Sequence, residues 1–220
     1  AKRAEEIYSY YETAIYLEEA IALIKRLKKN KENIQKRIEL LLKYVKVTIH
    51  FGQVDENIIR MMNALTLAEE DGYENYRIKV MISLGRLYFF KGDDKDSLRW
   101  FNNALQLSGQ IQDQYSTGVI YKYLGLNSIF LDVDFGKAIR FLEKAIDYFN
   151  NDEIIENIEA LSFLAFSYVE LGNFSKATTH IEKALNLIKT KDDPIKLSYV
   201  YHYASIVYNI KGNFDKALQY

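Results

Sequence analysis

The sequence predicts an all-α solenoid of tandem helical hairpins, and three observations carry that prediction. Gly52, Gly92, Gly172 and Gly212 lie 40, 80 and 40 residues apart, so a 40-residue beat runs along the chain. The missing beat falls at Asp132, where the neighbouring residues fit after a slip of one. A short phrase follows the beat: LGNFSKA ends at Ala177, KGNFDKA at Ala217 and DVDFGKA at Ala138. Apolar residues on either side of the phrase recur at helical spacing. A period of this length marks stacked units that bury their apolar faces only against their neighbours.

Residues 158–197 show one unit most clearly. Ile158, Leu161, Leu164, Ala165 and Tyr168 share one helical face. Gly172-Asn173 then stops the helix, because both residues tolerate the left-handed conformation of a helix C-terminus. A second stripe runs through Ala177, Ile181, Ala184, Leu185 and Ile188, and its small alanines let two helices approach closely. Residues 78–117 repeat the plan with Leu84-Gly85, Tyr88, Gly92, Ser97, Phe101 and Ala104. Residues 38–77 do so with Tyr44, Val45, Gly52, Val54, Asn57, Met61 and Ala64. Residues 118–157 offer Leu124-Gly125, Phe135, Ala138, Leu142 and Ala145, with one residue inserted in the turn. Partial units flank these at 1–37 (Tyr11, Ala14) and 198–220 (Ala204, Tyr208, Gly212, Phe214, Ala217). Neither end carries the polar cap that a free solenoid needs, so a fragment of a longer protein is expected. Its apolar ends, Tyr8–Ala14 and Phe214–Tyr220, are expected to associate end to end.

The Leu-Gly pair, the aromatic three residues later, the turn glycine and the two alanines together resemble the tetratricopeptide repeat. The resemblance covers essentially the whole chain and implies a right-handed superhelix of six hairpins, two of them incomplete. The period departs from the family's usual 34 residues. The inter-repeat proline is also missing, except as Pro194. The long period and the phrases AIYLEEAIALIKRL, NALTLAEEDGYENYR and SLGRLYFFKGDDKDS resemble the repeats of signal-transduction ATPases, MalT-like activators and certain adenylate cyclases.

Composition and motifs narrow the chemistry. The chain has 220 residues, 49% hydrophobic and 27% charged, which suits a folded protein. A net charge of -1 argues against nucleic acid as the partner. The absence of cysteine excludes disulfides and thiolate chemistry and agrees with the expected cytoplasmic location. No apolar run could span a membrane. His50, His180 and His202 lack metal-ligand spacing and are expected to be solvated or hydrogen-bonded. The acidic turn Gly92-Asp93-Asp94-Lys95-Asp96 reads as a turn plus helix cap rather than a calcium loop. Gly136-Lys137 lacks the glycine-rich approach of a phosphate loop, and no nucleophile–base pair is readable. The segment is therefore expected to be non-catalytic, with no metal or cofactor.

Two features remain for binding. The run Lys25-Arg26-Leu27-Lys28-Lys29-Asn30-Lys31 through Lys36-Arg37 reads first as a solvated link with cations near a helix C-terminus. Its alternative is a dock for an acidic partner. The resemblance also places certain first-helix residues along a concave groove: Lys43 and Lys46, Lys79 and Arg86, Lys122 and Tyr123, Phe163 and Phe166, then Tyr199, His202 and Tyr203. Such a groove would be basic toward the N-terminal half and aromatic toward the C-terminal half. The family's dicarboxylate clamp is not expected, because Lys46 and Ser83 stand at its asparagine positions. The expected function is a protein-interaction scaffold or sensor segment of a signalling protein, binding a protein, a peptide or neighbouring domains of its own chain. The alternative is a receptor module resembling quorum-peptide receptors.

Overall fold

A computed structural model describes residues 2–69, 72–149, 154–189 and 194–220. The side chains of Tyr8, His50 and Pro194 lie outside those described. Among the described residues, regular structure is helical throughout. The helices are α1 (Lys2–Ile24), α2 (Lys31–Thr48), α3 (Val54–Glu69), α4 (Glu74–Lys91), α5 (Asp94–Ile111) and α6 (Gln114–Phe130). They continue as α7 (Phe135–Tyr148), α8 (Ile154–Glu170), α9 (Phe174–Ile188), α10 (Pro194–Ile210) and α11 (Phe214–Leu218). Two compact units emerge, Ala1–Gln112 and Asp113–Tyr220. Unit 1 stacks α1 on the hairpins α2/α3 and α4/α5; unit 2 stacks the hairpins α6/α7, α8/α9 and α10/α11.

The hairpin turn is built twice over by adjacent residues. Gly92, Gly172 and Gly212 take φ of 76, 73 and 83°, the left-handed region that ends a helix with least strain in glycine. The next residue's N–H then reaches back into the finished helix: Asp93 to Tyr88 O at 2.9 Å, Asn173 to Tyr168 O at 2.8 Å, Asn213 to Tyr208 O at 2.9 Å. That same residue caps the following helix, its side chain accepting from the N–H of Asp96, Lys176 or Lys216. The acidic turn is thus a helix cap, as expected. At the slipped beat Val133 takes the left-handed φ, 54°, and Asp134 caps α7 through Lys137 N at 2.8 Å.

The glycine beat marks the turn inside each hairpin. The first helices begin earlier, at Lys31, Glu74, Gln114, Ile154 and Pro194. A unit opened at 38, 78, 118, 158 or 198 therefore opens inside a helix, because the turns between hairpins carry no shared glycine to mark them.

The Leu-Gly pair has a packing cause. A Cβ on Gly85 would sit 2.6 Å from the Phe101 ring, and one on Gly125 would sit 2.7 Å from Leu142 Cγ. Glycine on the first helix thus makes room for a large side chain on the second. The reverse choice appears at the alanines: Ala64, Ala104, Ala138, Ala145, Ala177 and Ala184 are fully buried.

A three-residue latch joins successive hairpins. The Tyr168 hydroxyl on α8 donates to Glu143 Oε1 on α7 at 2.6 Å, and Lys176 Nζ on α9 donates to that hydroxyl at 3.3 Å. Tyr208 on α10 donates to Glu182 Oε1 on α9 at 2.9 Å, and Lys216 reaches the same carboxylate at 2.9 Å. In unit 1, Glu18 and Arg60 pair at 2.9 Å, with the guanidinium 4.5 Å from the Tyr44 ring centre. His180 joins the Tyr168 latch differently from expectation. Its ring stacks on Tyr168 at 5.5 Å, its Nδ1 is buried without a partner, and burial pulls its pKa below the ordinary value.

Candidate binding face

In unit 2 the residues expected in the groove fall on the first helices α6, α8 and α10. α8 is buried nearly all round, and its Phe163 and Phe166 meet α10 and the hairpin before it. Phe163 meets Phe130 of α6 at 5.9 Å, and Tyr199 and Tyr203 of α10 at 5.7 and 5.1 Å. Phe166 meets Tyr203 at 5.9 Å and Phe135 at 5.9 Å. These are mostly edge-to-face contacts, the arrangement that ring quadrupoles favour. Phe163 and Tyr203 are buried by the cluster, whereas Phe130 is 47% exposed, His202 is exposed and Phe166 and Tyr123 are half-buried.

Beside the rings runs a charge relay. Lys122 of α6 is buried, and its Nζ donates to Glu156 and, at 2.5 Å, to Glu159 of α8. Glu159 also accepts from Lys196 of α10. Desolvation opposes charge on both buried groups, but their mutual attraction wins. Lys122 is held above the ordinary lysine range, and Lys122 with Lys196 draws Glu159 down to about 2. Lys122 therefore offers no free charge to solvent, because it serves its own fold. Burial pushes the Tyr199 hydroxyl well above the ordinary tyrosine range, next to Tyr203 and Glu159.

In unit 1 the expected cations lie on α2 (Lys43, Lys46) and α4 (Lys79, Arg86). Lys43, Lys46 and Lys79 are exposed; Arg86 is half-buried. Lys79 Nζ lies 5.4 Å from the ring centre of Tyr76, whose hydroxyl donates to Glu39 Oε1 at 2.7 Å. That bond raises the Tyr76 pKa to about 12.

Sequence reasoning missed Glu156, Glu159 and Lys196. A signal existed: Lys122, Glu159 and Lys196 are opposite charges at successive 37-residue steps, close to the repeat period. Among the described residues no group of three or more His, Asp or Glu side chains could hold a metal ion. None of their helices is long and apolar enough to cross a membrane.

Residues 158–191, α8 and α9 with their turn, match the tetratricopeptide repeat. Solved structures extend the likeness along the chain. BtubC from P. vanneervenii is 17% identical with a TM-score of 0.72, over 98% of this chain and 87% of that one. A Rap protein complexed with competence and sporulation factor is 14% identical with a TM-score of 0.73, over 98% and 70%. A signal-transduction ATPase with a tetratricopeptide repeat sensor, from Pyrococcus horikoshii, is 17% identical with a TM-score of 0.68, over 97% and 36%. At these identities the likeness is one of fold: tandem tetratricopeptide-like hairpins. No curated protein sequence matches the chain.

Proposed function

We propose that unit 2 binds a protein or peptide segment across the face of α6, α8 and α10. The observation that carries this reading is the ring cluster in which Phe163 joins three first helices while Phe130, Phe166, Tyr123 and His202 keep open surface. Aromatic anchors of this kind contribute most of the energy at interfaces, and their rigid seating lowers the ordering cost of binding. The neighbouring charges balance within the relay, so the bound segment is selected by bulky apolar side chains. On unit 1, Lys43, Lys46, Lys79 and Arg86 form a separate surface suited to acidic residues. The long period supports a place among the repeats of signalling regulators, where the segment would act as scaffold or sensor. The Rap protein complexed with competence and sporulation factor, similar in fold, supports ligand binding by such repeats.

The test is selection of peptides from a display library on the purified chain, followed by binding to wild type and Phe166→Ala. Selected peptides rich in Phe, Trp or Leu, with release at least about tenfold faster from the variant, are expected. Peptides that bind both proteins alike would sink the assignment.

A further inference from the structure

The basic run from Lys25 to Arg37 belongs to neither face. It holds seven cations against one acid, Glu32, in a chain of net charge -1. Glu32 is taken by Lys36 at 2.6 Å. Among the described residues, Lys25, Arg26, Lys28, Lys29 and Arg37 have no carboxylate partner. The turn that carries them is ordered: Asn30 caps α2 by accepting from Asn33 N at 2.8 Å, and Asn33 Nδ2 donates to Lys28 O at 2.9 Å.

These residues surround one small crevice. Lys25, Lys28, Lys29, Asn33 and Arg37 form its polar wall, and Ile24, Leu27, Ile34 and Leu67 its apolar wall. Its volume is about 40 Å³, room for a small side-chain tip. Leu27 remains 56% exposed, with Leu23 nearby at 61%. Arg37 lines the crevice, and its Nε is buried with no acceptor, which is costly for a charged donor.

We propose that this crevice docks an acidic peptide segment, carboxylates meeting Lys25, Lys28, Lys29 and Arg37 while an apolar side chain covers Leu27. Charge complementarity selects the acid, and the apolar wall selects a peptide over a nucleic acid, whose phosphate backbone has nothing to place there.

Fluorescence anisotropy of the full chain tests this with a labelled ten-residue peptide of Asp and Glu around a central Leu. The acidic peptide is expected to bind, and more weakly as salt rises. Its amide counterpart of Asn and Gln, and a ten-residue thymidine oligonucleotide, are expected to bind about tenfold more weakly or worse. Lys28→Glu with Lys29→Glu should weaken the acidic peptide about tenfold, and Arg37→Ala comparably. Lys28 and Lys29 are exposed, so the double variant should melt like wild type. A charge-matched control on unit 2, Lys183→Glu with Lys189→Glu, should change affinity less than about twofold. An equal loss in that control, equal binding of the oligonucleotide, indifference to replacing the central Leu by Ser, or no binding at all would each overturn the proposal.

Discussion

Val133 occupies the left-handed conformation, φ 54°, that glycine fills in the other hairpin turns. A β-branched residue is strained there, and with 66% of its surface exposed its side chain returns little packing. Val133→Gly should therefore stabilise the protein by about 1 kcal/mol, read as a raised denaturation midpoint at unchanged slope. A loss of stability would mean that the side chain packs more than its exposure implies. Ala184 presents the opposite case, since it is fully buried where α9 meets its neighbours. Ala184→Leu should cost about 1–3 kcal/mol by overpacking. The same change at exposed Ala22 should be nearly neutral, because both residues form helix well. Equal effects at the two sites would show that the packed surface lies elsewhere.

Among elements, the relay across α6, α8 and α10 is the part whose energetics depend most on pairing. Lys122→Met strands Glu156 and Glu159 beside one remaining cation and should cost about 3–5 kcal/mol. Lys122→Met with Glu156→Gln and Glu159→Gln should recover much of that loss, which urea denaturation of the series would show. The Glu159 carboxyl, drawn to about 2 in the folded state, also sets a pH dependence. A depressed folded pKa gives stability that is present above the unfolded value and lost as pH falls through the folded one. Stability should thus decline from about pH 4.5 toward pH 2 in wild type. A Glu159→Gln variant should show a flatter decline. Identical acid profiles would contradict the relay's role.

For the molecule as a whole, the hairpins were legible because glycine, a capping Asn or Asp, and buried alanine leave separate marks, at least two of them at each turn within a hairpin. The stripe from Ile158 to Ile188 is buried at every position read from the sequence. The phase of the units was less legible, since the turns between hairpins lack the recurring glycine that marks the turns within them. Within the candidate face, Phe163, Phe166, Tyr199 and Tyr203 were placed together by repeat position alone. Lys122 was misleading, because its partners lie one hairpin away and the 37-residue spacing that links it to Glu159 does not by itself reveal burial. The rings and the relay together make the α6, α8 and α10 face of unit 2 a preformed surface, and binding there is the central claim. Amide hydrogen exchange, with and without a peptide selected on the intact protein, tests it most directly. Added protection is predicted along the described parts of α8 and α10, with α7 and α9 unchanged. Protection confined to α7 and α9 would contradict the account.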